Sequence, residues 1–312
     1  MEEREKRKIG EELEPGGRPK APGRLEVLQR FVNTHNHDFP DDWDRLETAE
    51  KAAAWLADKG LIAPGESISE ADAARLREAG VGEVVVAGNL KFDLAPEASL
   101  IERGRRWKAS LGARPVVLAA VTREGEEASL LAAWRALTAA RPLLVVVPRH
   151  PQRFDAVARE IAEAGFGVSR RSAWGDAPPP EAAAADVWLG DSMREMPAWY
   201  ALADVALLGG SFAPLGGQNL IEAAACGCPL VLGPHTFNFS DAAELAIAAG
   251  AAVRAADIVA GVDAAVALVS PAHAAERARR SQAALAFAGA HRGAAARMAA
   301  RILAIADQAR AR

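Results

Sequence analysis

The chain has 312 residues, half of them hydrophobic, 25% charged and only 5% aromatic, with a formal net charge of −4. That length carries one large domain or two ordinary ones, and an alanine-rich, aromatic-poor mix suits helices packed on a sheet better than an all-β sandwich. The lack of a basic excess argues against a dedicated nucleic-acid binder, which would present a basic face.

Residues 1–24 mix Glu, Lys, Arg, Gly and Pro with almost no large apolar side chain. They have too little to bury against the entropy of ordering and read as a disordered tail. Met1 to Lys8 is charged throughout, without an apolar signal-peptide core, and no window approaches about 18 uninterrupted apolar residues. The expectation is a soluble cytoplasmic protein without signal peptide or membrane anchor. Residues 25–80 read as a small helical module. Leu25, Val27, Leu28 and Phe31 begin one helix. Thr48 can cap a second, through Ala52, Trp55 and Leu56 to Gly60, and Ser69 a third, through Ala73 and Leu76 to Gly80.

From Val84 short Val- and Leu-rich runs alternate with Ala-rich amphipathic stretches. The predicted strands are Val84–Ala87, Pro115–Ala120, Leu143–Pro148, Gly167–Arg170, Val187–Leu189, Val205–Leu208, Leu230–Leu232 and Ala252–Arg254. Continuous apolar runs are how strands read when helices cover both faces of a parallel sheet. Helices are expected near 97–111, 125–140, 152–164, 195–203, 217–227, 240–249, 257–269, 271–288 and 291–310. The whole of 84–312 reads as an α/β domain with a doubly wound parallel sheet. Cys226 and Cys228, one glycine apart, are poorly placed for a disulfide and lack a second pair for zinc, so they read as small residues in a buried turn.

Ligands of such sheets bind at the carboxyl ends of the strands, so the loops that follow the strands carry the chemistry. After Leu143–Val147 come Arg149 and His150, bracketed by Pro148 and Pro151. The Arg fork suits phosphate or carboxylate. The alternative is a solvated turn. After Val187–Leu189 comes Gly190-Asp191-Ser192-Met193-Arg194-Glu195, where Asp191 or Ser192 can cap the next helix. After Val205–Leu208 come Gly209, Gly210 and Ser211, then Gly216, Gly217, Gln218, Asn219, Leu220, Ile221 and Glu222. Glycines admit a ligand to the backbone, a helix start receives an anion, and Asn219 and Glu222 share a helix face where a carboxylate can accept ribose hydroxyls. A helix N-terminus with a surface Glu is the plainer alternative. After Leu230–Leu232, the loop Gly233 to Phe239 reads as a wall for a base or sugar, with Phe237 and Phe239 also closing the core. No strand is followed by Gly-x-Gly-x-x-Gly or by a Walker lysine, which argues against a dehydrogenase and a P-loop NTPase.

Seven ordered blocks resemble the C-terminal half of the Kdo (3-deoxy-D-manno-octulosonic acid) transferases, glycosyltransferases of the GT-B architecture. They are GNLKFD at 88–93, VTREGEE at 121–127, VPRHPQRF at 147–154, RRS at 170–172, GDSMREMPAWYALADVALLGGSF at 190–212, GGQNLIEAAACGCPLVLGPHTFNF at 216–239 and GAA at 250–252. The resemblance implies a GT-B C-terminal Rossmann-like domain. It implies a site for the donor CMP-Kdo at Arg149 and His150, at Met193, Arg194 and Glu195, and at Gly216, Gly217, Asn219, Leu220, Ile221 and Glu222. It implies no metal or other cofactor. It also implies direct displacement at the anomeric carbon with CMP leaving, a lipid A precursor (lipid IVA) as acceptor, a role in lipopolysaccharide core synthesis, and peripheral contact with the inner membrane. Three positions depart from the family pattern. Arg194 stands where the family usually has Gly, Gln218 where it has His, and Arg123 where it often has His. Residues 1–83 are too short for the family's acceptor domain with its glutamate base, so no catalytic residue is assigned. Binding of the nucleotide without turnover is the alternative.

Residues 25–80 also resemble the N-terminal helical module of predicted stress-responsive bacterial regulators, through RFVNTH at 30–35, DRLETAEKAAAWLADKGL at 44–61 and GESISEADAARLREA at 65–79. A generic three-helix unit explains the same residues, and a regulator with the α/β domain as ligand sensor is the third functional reading. Arg103, Arg105, Arg106 and Lys108 form a basic run that either touches an anionic membrane or is a solvated helix face.

Overall fold

The computed structural model describes residues 90–137 and 141–310. The chain divides into two compact units, Met1–Val86 and Ala87–Arg312, and every described residue belongs to the second. The tail at 1–24, the helical module at 25–80 and the strand expected at Val84–Ala87 lie outside the described residues.

Seven parallel strands form one sheet: β1 Val116–Thr122, β2 Leu143–Pro148, β3 Val168–Arg170, β4 Val187–Leu189, β5 Val205–Leu208, β6 Leu230–Leu232 and β7 Ala252–Arg254. Their spatial order is β3-β4-β2-β1-β5-β6-β7. The helices are α1 Ala98–Ser110, α2 Glu126–Arg135, α3 Phe154–Glu163, α4 Met196–Leu202, α5 Leu220–Ala225, α6 Ser240–Ala248, α7 Ile258–Val269, α8 Ala274–Ala290 and α9 Ala294–Arg310. The doubly wound reading therefore holds. The helix expected over 125–140 ends at Arg135, and the one expected over 217–227 starts only at Leu220.

Side chains alternate across β1 with the period of two that a strand imposes. Val116, Leu118 and Ala120 join the core under α1, α4, α5, α6 and α8, whereas Val117 and Ala119 join the core under α2, α3 and α7. With both faces covered, nearly every residue of β1, β2, β4 and β5 is buried, which is why these strands are continuous apolar runs. Trp107, Trp174, Trp188 and Trp199 cluster on the first face with ring centroids 4.6–6.1 Å apart where they pair. The chain steps outward from β1 to β2 and the edge strand β3, fills in β4 between them, then returns beside β1 at β5 and winds the other way. The carboxyl ends of β1 and β5 thus flank the switch point, where such sheets open a crevice.

The candidate ligand cleft

A cleft of about 250 Å³ opens at these carboxyl ends. It is lined by Val121 from the end of β1, by Val147, Pro148 and Arg149 from β2, and by Ser192 to Met196 after β4. Trp199 and Tyr200 of α4 and Gln218, Asn219 and Glu222 around the start of α5 complete it.

Backbone geometry at β1 builds one wall. Ala120 pairs with Val147 and Thr122 with Pro148, leaving Val121 as a bulge. Val121 takes φ 57°, a left-handed value uncommon for any side chain and exceptional for a β-branched one. Its carbonyl packs so closely on Gly209 that a Cβ there would lie 2.6 Å from the Val121 carbonyl carbon, so only glycine fits at this crossing. Buried Glu126 ties the same loops together. Its carboxylate accepts from the backbone N–H groups of Arg123 (2.8 Å), Gly210 (2.7 Å) and Phe212 (3.2 Å). Next to it, buried Glu127 accepts from Thr122 Oγ1 and Arg153, both at 2.7 Å.

The loop after β4 is held by two carboxylates. Asp191 accepts from the Ser172 N–H (2.8 Å), the Ser172 hydroxyl (2.6 Å) and Arg170 (2.7 Å). Burial would raise its carboxyl, but these bonds outweigh that and hold it below the usual range. The capping role expected for Asp191 or Ser192 is not what the structure has. Asp191 is committed to the loop after β3, Ser192 donates to Glu195 at 2.5 Å, and the residue before α4 is Glu195, with no side-chain cap. Glu195 receives Arg103 (2.8 Å) and Arg171 (2.9 and 3.0 Å). Burial again acts upward on its carboxyl and is overcome by the bonds from Arg171 and Ser192 and the charges of Arg171 and Arg103. Glu195 is therefore a neutralised, positioned wall residue.

Asn219 is the N-cap of α5 and accepts from the Ile221 N–H at 3.0 Å. Glu222 is half-buried, and among the described residues no hydrogen bond or ion pair engages its carboxylate; burial pushes its carboxyl up. Burial also pushes the phenol of Tyr200 well up.

Of the residues expected from sequence, Arg149, Met193, Arg194, Glu195, Asn219 and Glu222 line this cleft. His150 does not; it is half-buried at the start of a short 3-10 turn, Pro151–Arg153, and its ring is held toward the neutral form by burial and by the charges of Arg123, Arg149 and Arg153. Gly216 and Gly217 are absent from the lining. Their left-handed backbones tie the loop to its neighbours, with Gly217 N–H donating to Gly210 and Gly216 accepting from Asn238. Leu220 and Ile221 face inward, 0% and 1% exposed. The wall expected from Gly233 to Phe239 is absent from this lining. Phe237, Asn238 and Phe239 border a separate hollow of about 190 Å³ with Ile221. Phe237 is exposed and Phe239 packs on the core. The basic run of α1 is split: Arg103 pairs with Glu195 and Lys108 with Asp204, leaving Arg105 and Arg106 outward.

Sequence reasoning passed over Val121, Met196, Trp199 and Tyr200 as lining residues. The signal for the last two was the adjacent aromatic pair in the middle of a short helix, in a chain with one Tyr and seven Trp. Among the described residues no group of three His, Cys, Asp or Glu is placed to hold a metal ion.

No family model matches the chain. A 3-deoxy-D-manno-octulosonic acid transferase of Bordetella pertussis is 51% identical over 232 residues, which is 72% of this chain and 53% of the relative. A Haemophilus influenzae transferase of the same name is 39% identical over 50% of this chain and 36% of its own length. The crystal structure of the C-terminal CMP-Kdo binding domain of WaaA from Acinetobacter baumannii matches with a TM-score of 0.54 and 31% identity, over 61% of this chain and 98% of that domain. The chain belongs to the Kdo transferase family. It does so through the C-terminal half, and it spans about half the length or less of the curated relatives it matches. Within this Kdo transferase half the three departures fall in different places. Arg194 and Gln218 line the cleft, and Arg123 does not. No described helix is by itself long and apolar enough to cross a membrane.

Proposed function

We propose that this cleft holds the donor CMP-Kdo and that the chain serves Kdo transfer to a lipid A precursor, lipid IVA, in lipopolysaccharide core synthesis. The observation that carries the reading is the convergence of Arg149, just after β2, with Asn219 and Glu222, at the start of α5, onto one cleft at the switch point, in a chain 31% identical over nearly all of a solved CMP-Kdo binding domain. The guanidinium of Arg149, unpaired among the described residues, suits the single phosphate of the donor. Glu222, half-buried and with its carboxylate unengaged among the described residues, suits ribose hydroxyls, which donate to a carboxylate. The cleft is small against the roughly 300–1,000 Å³ usual for ligand sites, which fits one wall of a site completed by a second domain.

The acceptor is a membrane lipid, so peripheral contact with the inner membrane belongs to the same proposal; no metal or further cofactor is needed for the displacement. A second reading stands beside the first, because no general base is assigned among the residues of this unit: the unit binds CMP without turnover. Calorimetry with CMP tests the site, with binding expected and silence at millimolar CMP rejecting both readings. Transfer of labelled Kdo from CMP-Kdo to lipid IVA then separates them. Product supports the enzyme, and CMP binding without product supports the binding unit.

A further inference from the structure

Among the described residues two that are not glycine hold left-handed backbone, Val121 and Arg194, and both line the cleft. For Val121 the bulge and the close packing on Gly209 account for the conformation. Arg194, at φ 64°, sits in an exposed turn where glycine would adopt the same angle without steric cost. An outlier of this kind at a cleft is a reason to ask what the side chain does there.

Its charge answers. The neighbouring guanidinium groups are committed: Arg103 and Arg171 to Glu195, Arg170 to Asp191 and Asp155, and Arg153 to Glu127. Arg194 is exposed, and among the described residues no hydrogen bond or ion pair engages its guanidinium, as is true of that of Arg149, which also lines the cleft. Glu195 is balanced by its own two arginines, so two uncommitted cations remain in the lining against the one carboxylate of Glu222. A cleft of that balance favours an anionic ligand.

We propose that Arg194 is a specificity-determining residue that contacts an anionic group of the ligand in this cleft, adding a second cation to that of Arg149. The inference rests on the donor-site reading above, and the anion is either the phosphate or the sugar-acid carboxylate of the donor. The test compares the full chain with Arg194→Gly and Arg194→Lys by calorimetry against cytidine, CMP and CMP-Kdo, alongside thermal melts. Glycine removes the charge and relieves the backbone, so R194G is expected to melt no lower than the parent while binding CMP-Kdo at least about tenfold more weakly and cytidine equally. R194K is expected to lie between, since it keeps the charge but loses the fork. A loss with CMP assigns the contact to the phosphate, and a loss confined to CMP-Kdo assigns it to the carboxylate. Equal affinities of parent and R194G for both ligands, or a parallel fall for cytidine, overturn the proposal. A parent chain that does not bind CMP removes the donor-site reading itself, a result distinct from these.

Discussion

Gly104 sits where α1 crosses α4, and Gly104→Ala sets two effects of opposite sign against each other. By intrinsic propensity, Ala in a helix interior is better than Gly by about 1 kcal/mol. By geometry, the added methyl would lie 2.9 Å from the Ala198 carbonyl carbon, 3.0 Å from its Cα, and closer still to its oxygen. All three are backbone atoms, so no side chain can swing aside. Restoring an ordinary 3.4 Å at the carbonyl carbon parts the helices by about 0.5 Å, and the oxygen demands more. Overpacking of this kind costs about 3 kcal/mol at the upper end of its usual range, so the net loss is about 2 kcal/mol after the propensity gain. For a unit of this size that is a fall in Tm of about 4–8 °C. Because α4 carries Trp199 and Tyr200 into the cleft, CMP affinity should fall as well. Thermal melts followed by tryptophan fluorescence, with CMP titrations of the folded variant, measure both. A variant as stable as the parent or more so would refute the crossing geometry.

Glu222→Gln removes a carboxyl that burial pushes above its ordinary value. A raised folded pKa means that the charged form costs stability at neutral pH, and that this cost disappears as pH falls below the unfolded value. E222Q should therefore be more stable than the parent in urea at pH 7, no more stable near pH 4, and weaker for CMP. Glu126→Ala strips the acceptor from three backbone N–H groups in two loops. At about 1–3 kcal/mol for each buried donor left unpaired, less what water recovers, a loss of roughly 3 kcal/mol is expected by denaturant titration, and E126Q should lose less. Burial pushes the Cys226 thiol up to about 12 and that of Cys228 well up, with Cys228 1% exposed. Both should resist a thiol reagent at pH 8 in the native state and react once unfolded.

The strands were legible because burial on both faces leaves only apolar residues to choose from, and β2, β4, β5 and β6 fall where their Val and Leu runs stand. The family resemblance was legible from ordered motifs. The start of α5 was placed three residues early, because Gly216 and Gly217 look like a helix entry but hold left-handed turns. Asp191 looked like a helix cap because an Asp before a helix usually is one; its partners, Arg170 and Ser172, arrive from the loop after a different strand. His150 looked like a partner of Arg149 because they are adjacent, yet neighbours in an extended segment point to different sides.

The sequence by itself determined the fold class, the alternation of elements and the rim of the sheet on which the chemistry lies, since these follow from hydrophobic periodicity and from short-range motifs. Only the tertiary structure decided which loop residues share the cleft, which arginines are already spent on Glu195, Asp191 and Glu127, and that among the described residues nothing pairs with the side chains of Glu222 and Arg194. Those are pairings between residues tens of positions apart, fixed by the strand order and the packing of α1 on α4 and left unmarked by any local pattern.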